Sequence, residues 1–412
     1  MKNKFLLEMK DRGYLNQCTD LQNLGKICDK QPISGYIGFD CTASSLHVGS
    51  LLQIMILKLM QKHGHQPIVL LGGGTTLIGD PSGKDTTRKI LEQKEIKKNI
   101  EGIKKVFNKI LDTSNKDTAP IFVNNSDWLT KLNYIQFLRD IGSHFTINKM
   151  LTFDSVKLRL EREQSLSYME FNYMILQAYD FYQLFKNKNC ILQIGGSDQW
   201  GNIVNGVDLI RRILQKDAYG LTSPLITLAS GAKMGKTEKG AIWLNEDQIS
   251  SYDYWQFWRN TDDRDVKRFL NFFTEIDLAE INEICNKEKN INRLKIILAN
   301  EATKILHGET ASKKAEKTAQ DTFEKGKIGS DLPEIKIKLS DIKNGINFID
   351  FIASNKILSS KNEARRAITN RGFKINDKIV EDEKKIIKEK DFYKNILKLS
   401  YGKKKHYLIK II

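Results

Sequence analysis

The sequence predicts an α/β chain: a doubly wound parallel sheet, then a helical domain, then a small α+β domain. Three observations carry this. Short apolar runs alternate with helical patterns through the first half. Strand signals vanish from about residue 245. A basic segment with its own helix and strand patterns closes the chain.

The elements follow in order. "YIGF", from Tyr36, is a short apolar strand. "LHVGSLLQIMILKLMQKHG", Leu46 to Gly64, has apolar residues at helical spacing and stops at a glycine. "QPIVLLGGG" reads as a buried strand, Thr86 to Leu111 as a charged helix, and "APIFVNN" and "CILQIGG" as third and fourth strands. "SDQWGNIVNGVDLIRRIL" reads as the next helix. Strands separated by helices give a Rossmann-like sheet, assigned to residues 1–244. Ligands of such sheets bind beyond the carboxyl ends of the strands. Residues 245–326 are helical in period, as in "ISSYDYWQFWRNTDDRDVKRFLNFF". Residues 327–345 read as a linker with Gly, Pro and charge, and 346–412 as the last domain.

Composition narrows the class. With 412 residues and 40% apolar content the chain has room for several domains and a sizeable core. No apolar run reaches the ~18 residues of a membrane span. The start, "MKNKFLLEMKDRGYL", is too charged for a secretory signal. The five cysteines, Cys18, Cys28, Cys41, Cys190 and Cys285, form no C-x-x-C pair, which points to a reducing compartment and away from zinc. The formal net charge is +16, and residues 347–412 carry 17 Lys and Arg against 8 Asp and Glu. More than half the excess thus sits in about a sixth of the chain. A uniform bias toward lysine would not concentrate it so, and a nucleic-acid partner would.

Two segments suggest polyphosphate chemistry. "YIGFDCTASSLHVGS" runs from a strand through a polar turn into a helix start, with His47 and Gly49 in the first turn. Unpaired N–H groups and the helix dipole make such a place an anion site. "LASGAKMGKTEKG", Leu228 to Gly240, packs Lys233, Lys236, Thr237 and Lys239 among three glycines. Mobile ammonium groups there can follow charge as it builds on a leaving phosphate. "GGGTTLIGDPSGKDTTRK" is not a Walker A loop.

"LHVGS" resembles the HIGH signature of class I aminoacyl-tRNA synthetases, and "KMGKT" their KMSKS signature. With "GFDCTASSLHVG", "GGGTTLIGDPSGK", "YMILQAYDF" and "QIGGSDQWGN" in this order, the chain resembles bacterial-type tyrosyl-tRNA synthetases over essentially its whole length. The resemblance implies that Thr42, His47 and Gly49 contact ATP, with Ser50 beside them. It puts Gly38, Asp40, Gly196 and Asp198 around the adenosine and the adenylate. Lys84, Arg88, Lys233, Lys236 and Thr237 would clamp pyrophosphate. Tyr36 and Asp180 would bond the phenol hydroxyl of tyrosine; Asp80, Tyr173 and Gln177 its ammonium group; Gln199 would lie near its carboxylate. It further implies ATP with its Mg²⁺ as substrate, no tightly bound cofactor and no protein metal cage, a tRNA(Tyr) partner, a cytoplasmic homodimer with each tRNA spanning both subunits, and an anticodon-arm-binding helical domain.

Residue chemistry agrees. Tyr173, Gln177 and Asp180 fall at i, i+4 and i+7, on one helix face. A carboxylate on so apolar a helix needs a partner, and a substrate phenol would supply one. In the tail, "SSKNEARRAI" reads as a helix capped by Ser359 or Ser360, placing Lys361, Arg365 and Arg366 in its first turns. Arg371 marks the turn before "FKIND". This resembles a small RNA-binding module.

Two positions depart from the family pattern. Ser50 stands where a second histidine is common, predicting altered ATP affinity. Cys41 replaces a common proline, predicting a slightly looser turn. Two alternatives stay open: the same chemistry on tryptophan, against which Tyr36 and Asp180 argue, and an RNA-binding regulator without catalysis, against which "KMGKT" argues.

Overall fold

The computed structural model describes residues 3–80, 91–231, 234–237, 240–323, 332–343, 345–393, 395–402 and 405–412. Its central sheet has six strands: β1 (Gln17–Cys18), β2 (Ser34–Asp40), β3 (Gln66–Gly72), β4 (Ile121–Asn124), β5 (Cys190–Gly196) and β6 (Tyr219–Ser223), in the order β1-β6-β5-β2-β3-β4. β2 to β6 are parallel, and β1 joins the edge antiparallel to β6.

Alternation along the strands sends side chains to two separate cores. Ile37, Phe39, Val69 and Leu71 join the side packed with the Leu51–Lys62 and Gln93–Ile110 helices. Tyr36, Ile68 and Leu70 join Phe181, Leu184 and Ile210 on the other side, from the Tyr168–Lys188 and Trp200–Leu214 helices. Both faces of the sheet are covered, as a parallel sheet requires. The chain winds outward from β2 to β3 and β4 one way and through β5 to β6 the other. The carboxyl ends of β2 and β5 therefore flank the place where strand order reverses, where doubly wound sheets bind ligands.

Several details differ from the sequence reading. β1 and β6 carried no strand signal: β1 is two residues long, and "YGLTS" mixes Gly, Thr and Ser though all five residues are buried. The helix expected from Thr86 begins at Gln93; residues 81–90 lie outside the described ones. The helix expected from Leu46 opens with a 3₁₀ turn, Val48–Ser50, and becomes α-helical only at Leu51. The helices Ser251–Arg259, Val266–Phe273, Leu278–Lys287, Ile291–His307 and Glu309–Phe323 follow. Trp255, Trp258, Phe269 and Leu298 share one apolar core with the sheet side, so strands give way to helices near residue 245 without a break in packing.

The C-terminal segment has its own core, around Phe348, Phe351, Phe373 and Leu397. Part of the stretch read as a linker belongs to it. Glu334–Ile337 pairs in parallel with Lys405–Ile411 as an edge strand, and Leu339–Lys343 is helical. Among the described residues no helix is long and apolar enough to cross a membrane.

Candidate active site

The Tyr168–Lys188 helix is set by its ends. Ser167 and Glu170 form a capping box, Glu170 is paired with Arg159 at 3.1 Å, and Asn189 closes the helix in the left-handed region at φ 50°. Tyr173, Gln177 and Asp180 then face a cavity of about 210 Å³, open on one side, at the carboxyl ends of β2 and β5. β2 supplies Tyr36, Gly38 and Asp40, the loop after β3 supplies Asp80, and the end of β5 with its following turn supplies Gly196 and Gln199. Nine of the predicted residues thus line one cavity.

Polar groups divide between its ends. At one, Asp180 is 1% exposed and accepts hydrogen bonds from Asn125 Nδ2 (2.9 Å) and Trp128 Nε1 (2.8 Å). Burial pushes its carboxyl up to about 7 despite those donors. Tyr36, equally buried, has a hydroxyl with no partner among the described residues, and its phenol is raised well above 10 by burial and by the nearby Asp180. Toward the other end, Asn202 Nδ2 donates to Gln177 Oε1 (3.0 Å) and Gln199 Oε1 (3.2 Å), and Gln199 Nε2 donates to Asp80 (3.0 Å) and Asp198 (3.3 Å). Asp40 accepts from Tyr173 Oη (3.3 Å) and Thr75 Oγ1 (3.1 Å).

One expectation is corrected. Asp180 does not wait for a substrate to be solvated, because Asn125 and Trp128 already solvate it. A carboxylate has about four acceptor positions, so room for a phenol remains. Asn125, Trp128, Thr75 and Gln193 were missed. Asn125 ends the strand segment "APIFVNN" at its carboxyl edge, and Gln193 is a lone amide inside buried β5; both positions were readable as signals.

The first signature sits beside this cavity. Thr42, His47, Gly49, Ser50 and Asp198 are not among its lining residues. His47 caps the 3₁₀ turn with its own ring: Nδ1 accepts the Gly49 N–H at 3.0 Å. One of the N–H groups expected to await an anion is therefore already used. The second signature packs directly on it. Val48 N–H donates to Ile242 O at 2.8 Å, and Gly235, at φ +85°, brings the chain so close that a Cβ there would meet Gly49 N at 3.0 Å. Lys236–Thr237 pairs with Gly240–Ala241 as a two-stranded ribbon. Lys84, Arg88 and Lys233 lie outside the described residues.

The turn after β2 is firmly held. The Cys41 N–H donates to Thr76 Oγ1 at 2.8 Å and its carbonyl accepts from Asn99 at 2.9 Å. A proline there would have no N–H to give, so the expected loosening is offset. Ser50 precedes the Leu51–Lys62 helix without a side-chain cap bond. In the tail, Ser360 caps the Lys361–Thr369 helix. Lys361, Arg365, Arg366 and Arg371 are all exposed, Lys361 paired with Asp350 at 2.8 Å and Arg371 with Glu381 at 3.1 Å.

A family model described as class I tRNA synthetases (W and Y) matches residues 29–324. A second, the tyrosine–tRNA ligase SYY-like C-terminal domain, matches residues 323–409. The tyrosine–tRNA ligase of Pelagibacter ubique is 62% identical over 410 residues, covering 100% of both chains. That of Rickettsia prowazekii is 53% identical, covering 99% of this chain and 100% of the relative. The crystal structure of a C-terminally truncated mitochondrial tyrosyl-tRNA synthetase from Aspergillus nidulans superposes with a TM-score of 0.71 at 30% identity, over 78% of this chain and 95% of that one. On this combined footing the chain belongs to the tyrosine–tRNA ligase family of class I aminoacyl-tRNA synthetases.

Proposed function

We propose that the chain activates tyrosine with ATP in this cavity and passes the tyrosyl group to the 3′ end of tRNA(Tyr). A carboxylate oxygen of tyrosine attacks the α-phosphorus of ATP, forming tyrosyl-adenylate and releasing pyrophosphate. A terminal ribose hydroxyl of the tRNA then attacks the activated carbonyl, and AMP leaves. Neither step needs a covalent enzyme intermediate; positioning and charge stabilisation do the work. Tyr36 and Asp180 take the phenol hydroxyl, Asp80, Tyr173 and Gln177 the ammonium group, and Gln199 lies by the carboxylate. Gly38, Asp40, Gly196 and Asp198 border the adenosine. Thr42, His47, Gly49 and Ser50 face the phosphates, opposite the Lys233–Thr237 loop, with Lys84 and Arg88 closing over pyrophosphate. Mg²⁺ arrives with the nucleotide, and no tightly bound cofactor takes part.

The observation that carries this reading is the cavity's polarity: a buried carboxyl and an unpartnered phenol at one end, an amide and carboxylate network at the other. That pattern suits an amino acid with a hydroxyl at its far end. A site built to bond a hydroxyl rejects the analogue lacking it, a rule for which these synthetases are themselves the standard example.

The partners and setting belong to the same proposal. The helical segment and the basic tail grip the tRNA. Exposed Tyr134, Ile135, Leu138, Ile147 and Leu151 form the apolar face of a homodimer across which each tRNA lies. Five free cysteines suit the cytoplasm. Tyrosine-dependent ATP–pyrophosphate exchange tests the core of it, with phenylalanine and tryptophan as controls and Asp180→Ala alongside. Exchange with tyrosine alone, lost in the variant, is expected; no exchange with any amino acid would sink the reading.

A further inference from the structure

Asn245 stands just beyond the second signature, where the chain leaves its pairing with the first. Leu244 N–H donates to Leu46 O at 2.9 Å and Val48 N–H to Ile242 O at 2.8 Å, around the antiparallel bridge His47–Trp243. Asn245 then turns inward and is 6% exposed. Its backbone N–H donates to Ser45 Oγ at 3.1 Å, and its Nδ2 donates to the carbonyls of Ser44 and Gly102, each at 3.0 Å. In sequence Asn245 lies 200 and 201 residues from Ser45 and Ser44, and 143 from Gly102.

The Gln93–Ile110 helix holds the same turn from its other flank. Asn99 Nδ2 donates to Cys41 O at 2.9 Å. Gly102 permits the approach: a Cβ there would stand 1.9 Å from Ser44 O. The turn from Cys41 to Leu46, which carries Thr42 and leads into His47, is therefore gripped by a helix on one side and by the root of the second signature on the other.

We infer that Asn245 is a positioning residue for ATP, fixing the Cys41–Leu46 turn in register with the root of the Lys233–Thr237 loop. The inference rests on the reading that this turn and His47 receive the triphosphate. Asn245 does not line the cavity, so its effect passes through the turn. Groups that hold a triphosphate need fixed geometry, and displacements of about 1 Å are enough to cost catalysis. The tyrosine end, built from β2, the Tyr168–Lys188 helix and Asn125, shares none of the contacts of Asn245.

The test uses the full chain and three variants: Asn245→Ala, Gly102→Ala and His47→Ala. It reads KM for ATP and kcat in pyrophosphate exchange, and the tyrosine Kd by equilibrium dialysis without ATP. Asn245→Ala should raise KM for ATP about tenfold, with tyrosine Kd unchanged within about twofold. Gly102→Ala should act in the same sense by pushing the turn away. Its Cβ would clash with Ser44 O, so Tm should fall as well; an ATP-specific rise in KM with tyrosine Kd unchanged is what separates displacement of the turn from general loosening. If His47→Ala weakens ATP use and the other two do not, the inference is wrong and the site reading stands. A parallel loss of tyrosine affinity would mean general loosening and would also overturn it. If His47→Ala leaves KM for ATP unchanged, the turn is no phosphate site, and reading and inference fall together.

Discussion

The carboxylate of Asp180 and the hydroxyl of Tyr36 share the closed end of the cavity, each residue about 1% exposed, yet they do not bond to each other. Asp180 takes its hydrogen bonds from Asn125 and Trp128, and the Tyr36 hydroxyl has no partner among the described residues. A buried hydroxyl without a partner carries its desolvation cost in the free protein. The arrangement makes sense if a ligand hydroxyl completes both groups.

Tyr36→Phe should therefore separate stability from binding. The free variant should keep its Tm or gain about 1 kcal/mol, because an unpaired hydroxyl is removed. Tyrosine should bind about 1 kcal/mol more weakly, roughly fivefold in Kd, and discrimination against phenylalanine should narrow. Thermal unfolding and equilibrium dialysis on one preparation check both signs. A lower Tm in the free variant would mean that the hydroxyl is satisfied in the free protein.

Asp180 predicts a pH dependence with a defined sign. Its folded pKa is about 7 against a reference of 3.8, so the folded state holds an extra proton between those values. The stability that goes with it is fully present below pH ~4 and is lost as pH rises through 7. Asp180→Asn removes that loss, so it should raise Tm at pH 8.5 and change it little at pH 4. Tyrosine binding runs the other way, since a phenol donates best to the ionised carboxylate. Wild-type affinity should improve from pH 6 to pH 8, and the profile of Asp180→Asn should be flat. Trp128→Phe, which removes a donor to the carboxylate, should move the wild-type midpoint upward.

Legibility in the sequence follows the range of the interactions. Tyr173, Gln177 and Asp180 could be placed together because helical spacing is local. The strand ends could be placed because a doubly wound sheet puts ligands there. Asn125 and Trp128 could not be tied to Asp180, since their roles come from contacts across 55 and 52 residues. β6 was invisible because "YGLTS" is held by burial and pairing on both sides, with little propensity of its own. The edge strand Glu334–Ile337 alternates, but four residues among charges carried too little signal. Capping of the Gly49 N–H by the His47 ring depends on a rotamer, which no sequence pattern reports.

The apolar face around Ile135 predicts the oligomeric state. Ile135 is 71% exposed and Ile147 59%, a poor surface for a lone chain in water. In the proposed homodimer Ile135→Asp would place a charge in the interface, and it should weaken dimerisation at least about tenfold. Sedimentation velocity over a concentration series should show wild-type dimer and variant monomer at the same loading. An unchanged dimer in the variant would move the interface elsewhere; a monomeric wild type would remove it.

Cys41 and Thr76 offer a test of how the chain departs from its family's common proline. The Cys41 N–H donates to Thr76 Oγ1 at 2.8 Å, and Thr76 is 5% exposed. Cys41→Pro deletes the donor and leaves the hydroxyl buried and unpaired, at about 1–2 kcal/mol. Pro also stiffens the unfolded chain, which returns up to about 1 kcal/mol. Thr76→Ala leaves the N–H unpaired instead, at about 1–3 kcal/mol. With both groups gone nothing is left unsatisfied, so the double variant should be more stable than the sum of the singles by about 1–2 kcal/mol. Any ring strain at position 41 appears in both backgrounds and cancels in the cycle. Denaturant unfolding of the four proteins measures the coupling. Additive costs would mean that the hydrogen bond contributes nothing, and that the turn is held by its other contacts, those of Asn99 and Asn245 among them.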